Sequence, residues 1–305
     1  MTAACRSFFL DAGPRGQRLC VHHAAQGVVT PRGQILLLPP FAEELNKSRR
    51  MIALAARAFA QAGFDVLLTD LLGCGDSSGD FGDASWDDWL DDTYRAAIWL
   101  TEQASQPRSA THPHTTHTAH TPVPLWLWGV RAGALFAAPL MERLDRPVQW
   151  LLWQPVTAGK LQLQQFLRLK VAADLVGGQA KGAMQALRTQ LDQGQSVEVA
   201  GYRLSPALAR GLEQAQLKPT PRLQHLVWLE TSTREEPALT PAAAMAVQAW
   251  TEQGCTVQAA AVAGPSFWAA TEIEVAPALI DASVAALLQA AQSSPASAVV
   301  EGARA

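Results

Sequence analysis

Short apolar runs alternating with amphipathic stretches set the rhythm of this chain. Residues 35–38, 64–69, 125–128, 148–153, 226–229 and 256–262 are dominated by Leu, Ile, Val, Ala and Trp, the pattern of strands buried on both faces. Two earlier strands, 7–10 and 18–23, flank the turn Asp11-Ala12-Gly13-Pro14-Arg15-Gly16 and predict an opening hairpin. Helical periodicity predicts helices over 51–62, closed by Gly63, and over 86–103, opened by Ser85 as N-cap with Asp87 and Asp88 in its first turn. Further helices are predicted over 134–144, 241–253 and 277–291. The charged stretch 41–50 reads as a loop, and 71–83 as a Gly-rich loop. Between the strands ending at Trp153 and starting at Leu226 lies a long insertion with helices over 161–175, 180–191 and 206–215 and a strand-like piece at 196–204.

Strands alternating with helices imply an α/β fold, a mostly parallel central sheet with helices on both faces. The expected organisation is a core of residues 1–153 and 222–291, a helical lid inserted at 154–221 and a flexible tail at 292–305. In a chain of 305 residues, 49% hydrophobic and 17% charged composition allows a large core and argues against disorder. The formal net charge of -3 gives no electrostatic reason to expect nucleic acid. No apolar window reaches the length of a membrane span, and the first residues lack the basic start and apolar core of a secretory signal. The four cysteines, Cys5, Cys20, Cys74 and Cys255, lie far apart without metal or redox spacing. A cytoplasmic location is expected, with no cofactor and no metal.

The candidate chemistry centres on Leu125-Trp126-Leu127-Trp128-Gly129-Val130-Arg131-Ala132-Gly133-Ala134-Leu135-Phe136. A buried strand, a G-x-x-x-G turn and a helix form the frame of a nucleophile elbow, whose middle residue is held on a strained turn and points into the active site. Acyl-transfer chemistry needs a group there that can attack carbon. Arg131 keeps its proton at any working pH and is no nucleophile.

The chain resembles the α/β-hydrolase superfamily, and more narrowly the second type of exosortase A system-associated hydrolase. The likeness rests on Pro-Pro-Phe-Ala-Glu-Glu-Leu-Asn-Lys-Ser-Arg-Arg (39–50), Asp-Leu-Leu-Gly-Cys-Gly-Asp-Ser-Ser-Gly-Asp-Phe (70–81) and Gly-Val-Arg-Ala-Gly (129–133). Val199-Ala200-Gly201-Tyr202 and Gly264-Pro265-Ser266-Phe267-Trp268 add to it. The resemblance covers about residues 7–290 and implies a hydrolase name, linked to gene clusters for exopolysaccharide and PEP-CTERM protein sorting.

A triad in this fold follows the chain order nucleophile, acid, base. The acid belongs after the strand 226–229, where Glu230 is the first candidate, with Glu235 and Glu236 beyond it. The base belongs after 256–262, where Ser266 stands, and no His follows in the chain. His112, His114, His117, His120 and His225 lie at the amino ends of strands, whereas active groups gather at the carboxyl ends. His22 and His23 alternate faces of the hairpin, so one of them is expected to be exposed. The His/Thr/Pro-rich segment 105–121 reads as a linker. Gly75-Asp76-Ser77-Ser78-Gly79 matches G-x-S-x-G in letters, but no strand leads into it and no helix follows; it reads as a turn.

Arg131 would sit at a helix N-terminus, already an anion-attracting point. Glu43 or Glu44 from the neighbouring loop is the favoured partner, because buried cations are paired. The other reading is a ligand carboxylate, phosphate or sugar phosphate held by Arg131 with Asn46, Lys47 or Arg49. Glu272, Glu274 and Trp268 are further cleft candidates, and Trp126, Trp128, Trp150 and Trp153 read as core. The expected function is a non-classical or inactive hydrolase that binds a small anionic or glycan-related ligand, or a partner protein through the lid. The alternative is an active carboxylic-ester or thioester hydrolase using residues not identified.

Overall fold

The computed structural model describes residues 5–104, 123–176, 182–223 and 225–293. The His-rich segment 105–121 and all but the first two residues of the tail 292–305 lie outside the described residues. Eight strands form one sheet: β1 (Cys5–Asp11), β2 (Gln17–His23), β3 (Gly33–Leu38), β4 (Phe64–Thr69), β5 (Leu125–Val130), β6 (Val148–Trp153), β9 (His225–Ser232) and β10 (Thr256–Ala263). A separate two-stranded hairpin is made by β7 (Val197–Val199) and β8 (Tyr202–Leu204). The order in the large sheet is β1-β2-β4-β3-β5-β6-β9-β10. β1, β2 and β4 pair antiparallel, and all pairs from β4 through β3 to β10 are parallel.

The period of two along each strand divides the core into two layers. Ile35, Leu37, Trp126, Trp128, Leu151, Trp153, Val227 and Leu229 face α1 (Glu43–Gln61) and α8 (Pro277–Ser293). Leu36, Leu38, Leu125, Leu127, Trp150, Leu152, Leu226 and Trp228 face the other way. There they meet α2 (Trp86–Ala104), α3 (Ala137–Arg143) and α7 (Pro241–Glu252). Trp126, Trp128, Trp150 and Trp153 are buried, as expected of core. The opening hairpin is tied to α2 by a fully buried ion pair, Arg18 Nε to Asp92 Oδ2 at 2.7 Å, and Asp92 also accepts the Leu72 N–H at 2.8 Å.

Several boundaries differ from the sequence expectation. The charged stretch 43–50 is not a loop but the first turns of α1. Its buried positions Leu45, Ser48, Met51, Ile52, Ala55, Ala56, Phe59 and Ala60 repeat at three and four residues, while Glu43 and Glu44 sit at the helix N-terminus where negative charge is stabilising. The helix after β5 begins as a 3-10 turn over Arg131–Phe136 and becomes α-helical only at Ala137. β10 is not a buried strand: it closes the sheet as an edge and is half-exposed along its length. Neither hairpin histidine is exposed, because the His22 ring, 14% accessible, is covered by the edge of Trp99 and faces Asp65 at 3.6 Å.

The connection from β6 to β9 carries α4 (Gly159–Val176), α5 (Ala183–Asp192), β7, β8 and α6 (Pro206–Gln214). It is packed on the core at many points. Phe166 meets Phe41 edge-on at 5.0 Å, Tyr202 meets Phe81 at 5.0 Å, and Ser205 Oγ donates to the Ala84 carbonyl at 2.6 Å. At Gly211 a Cβ would fall 2.1 Å from Trp86 Cβ, so α6 lies against the start of α2.

Candidate functional site

Parallel strands bring their carboxyl ends to one edge, and the segments leaving β3, β5, β6, β9 and β10 meet there. The centre of this cluster is the turn after β5. Arg131 adopts φ +53°, a left-handed conformation that costs a non-glycine residue about 1–3 kcal/mol. The two flanking glycines explain how the turn fits. A Cβ on Gly133 would stand 2.0 Å from the Leu38 carbonyl oxygen, and one on Gly129 would stand 2.7 Å from Ala134 Cα. G-x-x-x-G is therefore a packing requirement that presses the 3-10 turn onto the ends of β3 and β5. The Arg131 carbonyl accepts the Val156 N–H at 3.1 Å, fastening the turn to the segment after β6.

The Arg131 side chain is held on three sides. One terminal nitrogen donates to Glu44 Oε1 at 3.2 Å, the other donates to the Gln154 carbonyl at 3.2 Å, and the guanidinium carbon lies 4.9 Å from the Trp268 ring centre. The contact with Glu44 is through one oxygen rather than a two-point fork. Glu44 Oε1 also accepts from Gln162 Nε2 of α4 at 3.3 Å. Within this group Arg131 Nε, Glu44 Oε2 and Gln162 Oε1 are buried and have no hydrogen-bond partner among the described residues.

The neighbouring polar side chains of α1 point elsewhere. Glu43 accepts from Tyr202 Oη at 3.1 Å and from Asn46 Nδ2 at 3.3 Å, and Asn46 also donates to Tyr202 Oη at 2.8 Å. Burial and the adjacent Glu43 carboxylate push the Tyr202 phenol well above its ordinary range. Arg49 donates to Asp70 at 3.1 Å, and Lys47 donates to the Ala269 carbonyl at 3.4 Å. The structure thus does not gather Asn46, Lys47 and Arg49 around Arg131.

The triad positions are equally plain. Glu230 does not follow the strand but lies within β9, which runs on to Ser232; it is buried and accepts from Trp228 Nε1 at 3.2 Å, the Thr240 N–H at 2.8 Å and Thr240 Oγ1 at 3.3 Å. It therefore braces the N-terminus of α7. Ser266 is exposed, and its carbonyl accepts the Ala269 and Ala270 N–H groups at 2.9 and 3.2 Å. Glu235, Glu236, Glu272 and Glu274 are exposed. His225, at the amino end of β9, packs edge-on against Trp126. Trp268 is 8% accessible and spends its face on Arg131. The serines of the G-x-S-x-G look-alike are turn ties: Ser77 Oγ donates to the Asp70 carbonyl and accepts the Leu19 N–H, and Ser78 Oγ accepts the Gln17 N–H.

Gln154 and Gln162 carry no motif and escape a reading by pattern. Gln154 has φ +42° and its amide oxygen accepts the Thr231 N–H at 3.0 Å, so it locks the ends of β6 and β9 together beneath Arg131. Gln162 stands in α4 close to Gln164 and Gln165, and nothing in the sequence sets it apart from them. Among the described residues no group of three or more His, Cys, Asp or Glu is placed to hold a metal ion, and no helix is long and apolar enough to cross a membrane.

No protein-family model and no curated protein matches the chain. Solved structures do. An α/β serine hydrolase without lid from Xanthomonas campestris superposes with TM-score 0.54 at 15% identity, covering 95% of this chain and 97% of that one. Carboxyl esterase 2 of the fungus Tuber melanosporum gives TM-score 0.57 at 11% identity, over 95% of this chain and 85% of that one. A Butyrivibrio proteoclasticus protein with bound ferulic acid gives TM-score 0.57 at 13% identity, over 92% and 98%. With the sheet order, the turn after β5 and these neighbours together, the chain has the α/β-hydrolase fold.

Proposed function

We propose that this α/β-hydrolase-fold protein uses the cleft at its elbow to bind rather than to cleave. The observation that carries the proposal is Arg131 itself: it occupies the strained elbow position and is engaged by Glu44, the Gln154 carbonyl and Trp268. A guanidinium in that position neither attacks carbon nor accepts a proton. The acid candidate Glu230 is hydrogen-bonded to α7, and Ser266 stands at the base position, so no relay reaches the elbow.

The same proposal takes the β6–β9 connection as a lid over the cleft, since α4 supplies Gln162 and β8 supplies Tyr202 to the two acids that open α1. A cytoplasmic role beside exopolysaccharide and PEP-CTERM sorting machinery is supported by the motifs at 39–50, 70–81 and 129–133 that resemble the second type of exosortase A system-associated hydrolase.

The test is turnover of p-nitrophenyl acetate and labelling by a fluorophosphonate probe. The purified protein is expected to show no turnover above buffer and no labelled serine. Esterase activity that survives purification and is lost in Arg131→Ala overturns the proposal.

A further inference from the structure

The class of ligand follows from the unpaired atoms around Arg131, and this inference rests on the reading that the cleft binds. A buried polar atom left without a partner costs about 1–3 kcal/mol, and native proteins keep such atoms few. Here three occur on side chains joined to one another by contacts of 3.2 and 3.3 Å. Gln162 is 4% accessible, and its amide orientation is decided by Glu44: only the NH2 group can donate to that carboxylate, which leaves Oε1 unpaired. The group therefore presents two acceptors, Glu44 Oε2 and Gln162 Oε1, and one donor, Arg131 Nε.

An anion offers only acceptors. It would satisfy Arg131 Nε, leave both oxygens unpaired and meet the Glu44 carboxylate, whose charge already balances Arg131. An ammonium group offers only donors and meets the guanidinium. A hydroxyl both donates and accepts, and two neighbouring hydroxyls match all three atoms. We propose that the elbow cleft takes an uncharged ligand bearing adjacent hydroxyls, a polyol or sugar unit, held between Glu44, Gln162 and Arg131. Because Gln162 belongs to α4, the β6–β9 connection supplies one of the three binding atoms.

The experiment is saturation-transfer NMR and calorimetry on the full chain with xylitol and methyl β-D-glucopyranoside, against sodium phosphate and sodium acetate at equal ionic strength. Binding of at least one hydroxylated probe and none of either anion is expected. Gln162→Leu, with Gln162→Met as a volume-matched second variant, is expected to weaken that binding at least tenfold. Glu44→Gln is expected to weaken it as well and to create phosphate binding by leaving Arg131 unbalanced. Phosphate binding by the unaltered protein, polyol binding indifferent to both Gln162 variants, or no binding of any hydroxylated probe at 10 mM (approximately the weakest useful affinity, and the mark of a bridging water only) overturns the proposal. None of these readings depends on turnover, so an esterase that bound the probes would refute the proposed function and leave the ligand class standing.

Discussion

Arg131 combines a cost and a gain in one residue. Its left-handed backbone is unfavourable, and its side chain is 15% accessible beside a Glu44 that is 20% accessible, so the ion pair is shielded without being fully dry. Arg131→Ala keeps the strained backbone and leaves Glu44 uncompensated; a loss of about 2 kcal/mol is expected in urea unfolding. Arg131→Gly relieves the backbone and should lose measurably less. The thiols offer an independent check at the same scale. Burial pushes Cys20 up to about 11 and Cys74 up to about 12, and raises Cys255, so these stay protonated and slow to react. Cys5 is exposed. Native protein at pH 8 is expected to expose a single fast thiol to Ellman's reagent and all four in denaturant. That Arg131 would meet an acid was legible in the sequence, because a buried cation is paired, but the sequence left Glu43 and Glu44 open and the fold places Glu44 there. Gln154 and Gln162 were not, since a neutral amide announces nothing until the fold places it.

Among the elements, the elbow and the N-terminus of α7 show two ways in which one residue sets a junction. Gly133 has no room for a side chain, and the atoms in the way are backbone atoms of Leu38 and Pro39 that cannot turn aside. Gly133→Ala is expected to cost at least about 3 kcal/mol or to prevent folding, read as the urea midpoint or the soluble yield. Glu230 is buried and holds Thr240 and Trp228, so Glu230→Ala strips an N–H acceptor from the start of α7 and should cost about 2 kcal/mol in urea unfolding. The strands were legible in place because buried strands are continuous apolar runs, to the residue at Phe64–Thr69 and Val148–Trp153, whereas β9 runs His225–Ser232 and carries polar residues past the apolar run 226–229. The start of α1 was misread because the polar and charged residues of 43–50 hid the buried positions Leu45 and Ser48 that continue the stripe of the helix. β10 was misread because its alanines look equally apolar at an edge and in a core.

At the scale of the molecule, stability should depend on pH through histidines far from the elbow. Burial lowers the pKa of His23 and of His225, with Arg57 and His22 adding to it at His23, so the folded protein binds these protons less readily than the unfolded chain. Above the ordinary histidine pKa both states are neutral and nothing is lost. As pH falls below about 6.5 the unfolded chain is protonated first, and stability declines until the folded pKa is passed. The urea midpoint is therefore expected to fall between pH 7.5 and 5.5, and less so when both histidines are replaced by Gln. Overall architecture was the most legible level, since alternation of buried strands and amphipathic helices leaves few arrangements. The polar cluster around Arg131 was the least legible, because its atoms come from α1, the turn after β5 and α4, which only the folded chain unites.

The left-handed backbone at position 131 has a bearing on the history this protein could still have. The turn holds its tip residue in a left-handed conformation, and the two glycines keep it there by close packing against Leu38, Pro39 and Ala134. A single side-chain replacement would put a hydroxyl at the tip with no rearrangement of the chain. On the proposed reading, what separates such a variant from an esterase is that Ser266 rather than a histidine stands at the base position and that Glu230 is engaged elsewhere. On that reading the scaffold is one replacement from a nucleophile and several from a catalyst, which makes it a starting point for directed evolution in which each step can be scored separately.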